Sequence, residues 1–430
     1  MKSLARIRRL LPALLCALFL FLFLFVFIFF SSGRHFLFEA SAVESALEAK
    51  DPDLAPPEPG RLPTPTPEPP RDVVRQAKIV IVGDLMVHSA QMQAAYNKSS
   101  NSYDFTTAFA PVAAYIQSAE LAVGNLETVL GGPEIGYSEY PRFNTPDAYA
   151  EALAGIGFDF FSTANNHSND KGEAGILRTI KTLDSIGIKH TGTFASPEER
   201  DTISILEANT MRIALLSYTY GTNGLPLVKG HDYTVNLLDK ALVEKDIKRA
   251  KEQNPDFIIV IPHMGVEYAE APNAQTTDMV SFMLNAGADV VAASHPHVLQ
   301  KAGFQKASDG RTCFAAFSLG NFISSQRTIP RDTGVILTLY LEKVNDEKAE
   351  ITRASIIPTW NEYINRLGAY DVRVMSIFDA LNDRVDLSPG IREKDLPRLI
   401  TAHSHAMKIL TGATVPTSEM KEEYFIYRPK

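Results

Sequence analysis

Apolar and polar positions divide the chain into three stretches of different character. Leu10 to Phe30 is a run of 21 residues without a charge, built mostly from Phe and Leu. Residues 51–70 hold nine prolines and end in the run Pro63-Thr-Pro-Thr-Pro-Glu-Pro-Pro70. From Ala77 onward, short apolar, β-branched runs alternate with helical patterns. Runs at Lys78–Gly83, Leu121–Gly124, Phe158–Thr163, Arg212–Tyr218, Phe257–Ile261, Val290–Ala293 and Phe314–Leu319 predict buried strands. Thr145-Pro146 predicts a helix start, with a cap and a first-turn proline. Further helices are predicted over Glu173–Ile186, stopped by Gly187, and over Leu242–Gln253 and Thr276–Asn285. This alternation predicts an α/β domain with buried sheets. Gly334–Leu341 and Ile351–Ile357 then read as consecutive antiparallel strands. Residues 360–430 carry one clear helical pattern, at Glu393–Leu410. No internal repeat is visible.

The first two stretches bear on compartment. A 21-residue apolar run has the length of a bilayer-spanning helix. Lys2, Arg6, Arg8 and Arg9 precede it, so the N-terminus is expected in the cytoplasm and the rest outside. A cleaved signal peptide is the alternative, with Ser31, Ser32 and Gly33 as small residues near a cleavage point, but its apolar region is ordinarily shorter. Leu15 before Cys16 argues against lipoprotein processing. The proline-rich stretch reads as a semi-rigid stalk. The expected layout is a cytoplasmic tail and membrane anchor (1–33), an extracellular stalk (34–76), a main domain (77–345) and a C-terminal extension of strands and helix packed on it (346–430).

Composition agrees with a folded chain: 45% of the 430 residues are hydrophobic and 21% charged, which excludes a disordered or fibrous protein. The formal charge is −8, yet residues 1–34 carry five basic groups and no acid, leaving −13 for the remainder. A body so acidic is not a general nucleic-acid binder. Cys16 sits in the apolar run and Cys313 in an apolar strand pattern, so no disulfide between them is expected, and Cys313 reads as a small core residue.

Metal-ligating residue types recur just after the strand runs. They are Asp84 and His88 after the first, Asn125 and Glu127 after the second, and Asn166, His167 and Asp170 after the third. His263, His295-Pro296-His297 and Asn321 follow later runs. In open α/β sheets ligands bind beyond the carboxyl ends of the strands, so one edge of the fold is expected to collect these side chains. Imidazole with carboxylate and amide oxygen suits first-row divalent metals, and a bridging carboxylate could serve two ions. His403 and His405 lie two apart on a predicted helix, where such residues do not face each other. They read as surface residues, as do His35, His190 and His231. Neither a Gly-x-Ser-x-Gly elbow nor a phosphate-cradling Gly-x-x-x-x-Gly-Lys loop occurs.

These stretches resemble the CapA family of capsule and poly-γ-glutamate biosynthesis proteins, itself similar to calcineurin-like metallophosphoesterases. The resemblance rests on VGDLMVH at 82–88, GNLETVL at 124–130, residues 143–193 around STANNHSND, IPHMGVEY at 261–268, Gln275, NAGADVVAASHPHVLQ at 285–300 and FSLGNFI at 317–323. It spans over half the chain. It implies an α/β class fold, a metallophosphoesterase-like four-layer α/β/β/α sandwich, here preceded by a transmembrane helix. It also implies Asp84 on a first metal, Glu127 in the bridging position, Asn166 and His263 on a second metal, His295 on the second and His297 on the first. His167 becomes the acid or electrophile near the leaving group; apart from the resemblance, Asp170, three residues on, reads as the partner that would orient its ring. His88, Asn125 and Asn321 are further candidates.

The chain departs from the phosphoesterase pattern in two places. Leu85 and Met86 follow Asp84 where Asp-x-His is usual, and Glu127 is a methylene longer than Asp. The implied function is that of a membrane-anchored, extracellular protein acting in synthesis, export or release of an anionic capsule polymer. The cofactor is one or two divalent ions, Mn, Zn or Fe. The implied partners are that polymer, membrane polymer-synthase or export subunits, and the bacterial membrane through the N-terminal helix, with no nucleic acid. A surface phosphoesterase on nucleotide or teichoic-type substrates and a non-catalytic export scaffold are the alternatives.

Overall fold

The structure, a computed structural model, describes residues 72–366, 369–382 and 395–429. Strands β1 (Val74–Leu85), β2 (Leu121–Leu126), β3 (Phe160–Ser162) and β4 (Lys189–Thr191) open the fold in sequence order. Next come β5 (Ser204–Ala208), β6 (Met211–Thr219), β7 (Phe257–His263), β8 (Val290–Ala292), β9 (Ala302–Lys306), β10 (Thr312–Ala316) and β11 (Asn321–Ile323). The last strands are β12 (Thr333–Val344), β13 (Glu350–Arg366), β14 (Ala369–Ser376) and β15 (Tyr424–Tyr427). The principal helices are α1 (Ser89–Ala95), α2 (Ala148–Gly155), α3 (Gly172–Ser185), α4 (Lys240–Glu252), α5 (Ala274–Ala286) and α6 (Leu396–Thr411).

One sheet runs β14-β13-β12-β1-β2-β3-β4, with β11 also on β1 and β15 also on β13. The other runs β9-β10-β8-β7-β6-β5. Within each, the central strands are parallel (β1 to β4, and β6-β7-β8-β10), while the added edges are antiparallel. The period-2 alternation of a strand explains the layers. Ile79, Ile81, Leu121 and Val123 point into one core with Ile213, Leu215, Ile259 and Ile261 of the second sheet. The intervening Val80, Val82 and Ala122 pack outward on Phe109, Ile116, Tyr149 and Leu153. Ala214, Leu216, Ile258 and Val260 likewise pack outward on Val243 and Ile247 of α4 and on Val280, Met283 and Leu284 of α5. Two sheets thus face each other, with helices on both outer faces.

Several expectations are corrected. The strand expected to Leu319 ends at Ala316, and Leu319 pairs instead with Leu299 across a bend. Residues 369–376 and 424–427 form strands that the apolar pattern did not reveal; both pair with β13, β14 as the strand that directly follows it and β15 from the end of the chain. His403 is not a surface residue: it is 1% exposed on α6, with Nε2 2.8 Å from the Tyr424 hydroxyl. His405 lies 3.2 Å from Glu270, and His231 lies 2.7 Å from Glu173. His190 is largely covered and lies 3.5 Å from Asp184. Cys313 is a buried free thiol. Among the described residues no helix is long and apolar enough to cross a membrane. The Leu10–Phe30 run, the proline-rich stretch and His35 lie outside those residues.

Candidate metal centre

The parallel strands of both sheets end at the same edge, and the expected residues meet there. Asp84 comes first. Its N–H donates to the Gly320 carbonyl at 3.0 Å, and its backbone pairs with Asn321 of β11. This approach requires Gly83: a Cβ at that position would stand 2.0 Å from the Gly320 oxygen. The Asp84 carboxylate then has Oδ2 3.1 Å from His297 Nδ1, while Oδ1 accepts from Asn125 Nδ2 at 2.8 Å.

Glu127, just past β2, is fully buried. Its Oε1 lies 3.6 Å from His263 Nε2 and 3.8 Å from His297 Nε2. His263, the last residue of β7, also lies 2.9 Å from Asn166 Oδ1, and the His263 and His295 ring centroids are 4.9 Å apart. The structure therefore brings together Asp84, Glu127, Asn166, His263, His295 and His297. Asn125 and Asn321 hold the others in place. Asn125 bridges Asp84 and, at 3.2 Å, His263 Nδ1. Asn321 Oδ1 is 3.1 Å from His297 Nδ1 and its amide donates to the Arg331 carbonyl. His88 stands apart at the start of α1, edge-on to Phe143, with Nδ1 accepting from the Ser325 N–H.

His295 and His297 both have left-handed backbones, with φ of 107° and 58°. Each such non-glycine conformation costs on the order of 1–3 kcal/mol. Pro296 between them fixes its own φ, so the turn aims two imidazoles inward at a conformational cost.

The electrostatics are those of a site short of positive charge. Burial, then the negative charge of Asp84, raises the Glu127 carboxyl well above the ordinary range. Both of its oxygens are buried without a hydrogen-bond partner, as is His295 Nδ1. Burial would raise Asp84 as well, but the His297 hydrogen bond and the neighbouring imidazoles outweigh it and hold that carboxyl well below its usual value. Burial, then neighbouring histidines, pushes His263 well down and His295 down to about 4. Buried carboxylates without donors are expensive unless a cation compensates. Neutral imidazoles, carboxylates and an amide oxygen are the donor set of a first-row divalent ion. The residues present fit such an ion.

His167 leaves β3 next to Asn166 but takes a different direction. Its Nδ1 is 2.8 Å from Asp170 Oδ2, and its ring packs edge-on against Phe143 at 4.6 Å. A cavity of about 330 Å³ opens beside it, lined by Tyr140, Arg142, Asn166, His167, Asp170, Asn223 and Glu267. A larger hollow of about 830 Å³, between Lys78, Tyr115 and Asp379, contains none of the cluster residues.

Residues 78–326 match the profile of the bacterial capsule synthesis protein family PGA_cap. The chain belongs to this family. The PGA_cap match takes in every residue of the cluster, while β12 to β15 and α6 lie beyond it. The chain is 27% identical over 256 residues to the capsule biosynthesis protein CapA of Bacillus anthracis, covering 58% of this chain and 60% of that protein. It is 25% identical over 283 residues to the PGA biosynthesis protein CapA of Bacillus subtilis, covering 64% and 70%. The chain thus spans 60% of the length of the B. anthracis relative. Among solved structures, the calcineurin-like phosphoesterase YfkN of B. subtilis is similar at 14% identity and a TM-score of 0.37, over 78% of this chain and 99% of that one. The Haemophilus influenzae NAD nucleotidase is similar at 14% identity and a TM-score of 0.43, over 79% and 57%.

Sequence reasoning passed over Glu267, Tyr220 and Tyr268 at the mouth of this PGA_cap site. Tyr220 packs on His295 at 4.5 Å and Tyr268 on His297 at 6.1 Å. The one available signal was Glu267, four residues after His263 in the stretch IPHMGVEY.

Proposed function

We propose that this protein acts on an anionic capsule polymer, poly-γ-glutamate, at the outer face of the cell membrane, through a divalent-metal centre built around Glu127. The observation that carries the reading is Glu127 itself. It is a fully buried carboxylate with no hydrogen bond, set between His263 and His297, inside the stretch that matches a capsule-synthesis family. One or two ions of Mn, Zn or Fe would be held by Asp84, Glu127, Asn166, His263, His295 and His297. When bound, such an ion polarises a carbonyl or phosphoryl oxygen and makes water a competent nucleophile near neutral pH. The chain's own residues account for the rest. His167, oriented by Asp170, donates a proton to the leaving amine of a γ-glutamyl bond being hydrolysed or transferred. Arg142, on the same cavity, offers a guanidinium to a polymer carboxylate.

The apolar run Leu10–Phe30 with its basic N-terminal flank supports a membrane anchor, and the stalk supports an outward-facing domain beside membrane synthase or export subunits. An N-terminal tag that stays with the mature protein in membrane fractions is the expected outcome, and a released tag would mean signal-peptide cleavage.

The test of function uses the full chain in detergent, analysed for metal and offered γ-linked glutamate oligomers and phosphodiesters side by side. Metal-dependent turnover of the oligomers is expected. Turnover of phosphodiesters alone would assign a surface phosphoesterase. A metal-free protein without turnover, but needed for capsule, would assign an export scaffold.

A further inference from the structure

We infer that Glu267, His295 and His297 form an outer cation position at the mouth of the centre, adjoining the buried set Asp84, Glu127 and His263, with His297 on the border, its Nδ1 3.1 Å from Asp84 and its Nε2 3.8 Å from Glu127. The inference rests on the proposed reading that this centre binds divalent cations; it adds a ligand that the resemblance does not supply, and it sets His295 and His297 on one ion where the resemblance parts them between two.

Three observations on the structure point to it. One ligand atom from each of Glu267, His295 and His297 lies within 4.8 Å of the other two, and the same holds separately for Asp84, Glu127 and His263. A first-row ion with bonds of roughly 2.0–2.2 Å needs its ligands somewhat closer than that upper limit, a gap that the exposed, rotatable Glu267 side chain can close. Next, His295 is 3% exposed and its Nδ1 is buried without a partner. A buried ring nitrogen left unpaired is costly, so His295 is an imidazole whose bonding the described protein groups leave incomplete.

The third observation is how Glu267 is placed. The loop after β7 is tied to the His295-Pro296-His297 turn on both sides of Glu267: Met264 N–H donates to the Ser294 carbonyl at 3.0 Å, and Tyr268 N–H to the Pro296 carbonyl at 2.8 Å. Gly265, with φ of 126°, lets the loop lie against the Pro296 ring, where a Cβ would already be 3.1 Å from Pro296 Cγ. Tyr268 is itself left-handed, with φ of 64°. The carboxylate is thereby presented over the two histidines from the cavity side.

The two sets differ in exposure, and this has a consequence. Asp84, Glu127 and His263 are all buried, whereas Glu267 is exposed and lines the cavity shared with Arg142 and His167. The outer position is the one a solvent-borne ion or a polymer carboxylate reaches first. It should exchange metal faster and bind it more weakly than the inner one.

The test is Mn²⁺ and Zn²⁺ titration of the detergent-solubilised full chain by calorimetry, with stoichiometry checked by elemental analysis. Parent protein should bind two equivalents. Glu267→Gln should weaken one equivalent by at least roughly 10- to 100-fold, the scale seen when groups supporting metal ligands are lost, and leave the other unchanged. Glu267→Asp should fall between, and Glu127→Gln should weaken the other equivalent. Melting curves of the metal-free variants check folding, and Glu267 is exposed, so they should match the parent. Two equivalents at parental affinity in Glu267→Gln would overturn the outer position while leaving the metal-centre reading intact. No metal bound by the parent would overturn both.

Discussion

His167 Nδ1 lies 2.8 Å from Asp170 Oδ2, and that same oxygen accepts the Phe143 N–H at 2.7 Å. The carboxylate is thus fixed by a backbone donor before it orients the imidazole, and both side chains are buried at the wall of the cavity. The arrangement holds one ring nitrogen and leaves the other to act at the cavity. His167→Ala should therefore cut turnover by roughly 10²–10⁴-fold, the usual worth of general acid–base catalysis, with metal content and melting temperature near the parent. Metal lost from that variant would make His167 a ligand instead.

Gly83 and Gly320 are the close contact on which Asp84 depends. A methyl at position 83 would stand 2.0 Å from a backbone oxygen, and no flexible side chain can yield there. Gly83→Ala should destabilise the protein by about 1–3 kcal/mol or more, as overpacking does when backbone must move. It should also weaken metal binding, since Asp84 follows directly. A variant with parental melting temperature and metal affinity would show that β1 and the Gly320 turn can part without cost.

His403 offers a pH test far from the metal centre. Burial on α6 lowers its pKa from the ordinary 6.5. Its folded form therefore resists protonation while the unfolded chain accepts a proton near pH 6.5. The stability tied to its neutral state is complete above that pH and is lost as pH falls below it. His403→Gln, which can still meet the Tyr424 hydroxyl, should show a shallower fall in melting temperature between about pH 7 and pH 5. Equal slopes for variant and parent would contradict this.

The described residues belong to one compact unit, with Val73 N–H on the Asn345 side chain at 2.9 Å where β1 begins. A chain trimmed to 71–430 should express in soluble form and unfold in one cooperative transition. Aggregation of the trimmed chain, where the full chain folds, would show that residues 1–70 take part in folding.

Much of this molecule was legible in one dimension. The short β-branched runs ending in Asp, Asn or His mark parallel strands and the edge where their polar residues gather, because polar groups that serve a ligand meet beyond the carboxyl ends of such strands. Asp84, Glu127, Asn166, His263 and the His-Pro-His turn stand out for that reason. The tertiary structure alone decided the rest. That Asn125 and Asn321 orient Asp84, His263 and His297 depends on hydrogen bonds between segments as much as 138 residues apart, as for Asn125 and His263. His403 is buried where segments distant in sequence, Tyr424 and β13 among them, pack on α6, and its own helix spacing records nothing of them. Glu267 looks like any loop acid until two backbone hydrogen bonds set it over His295 and His297. Periodicity and residue type are local properties and survive in the sequence. Register between distant strands and the direction of a loop are set by packing between segments that the sequence keeps apart.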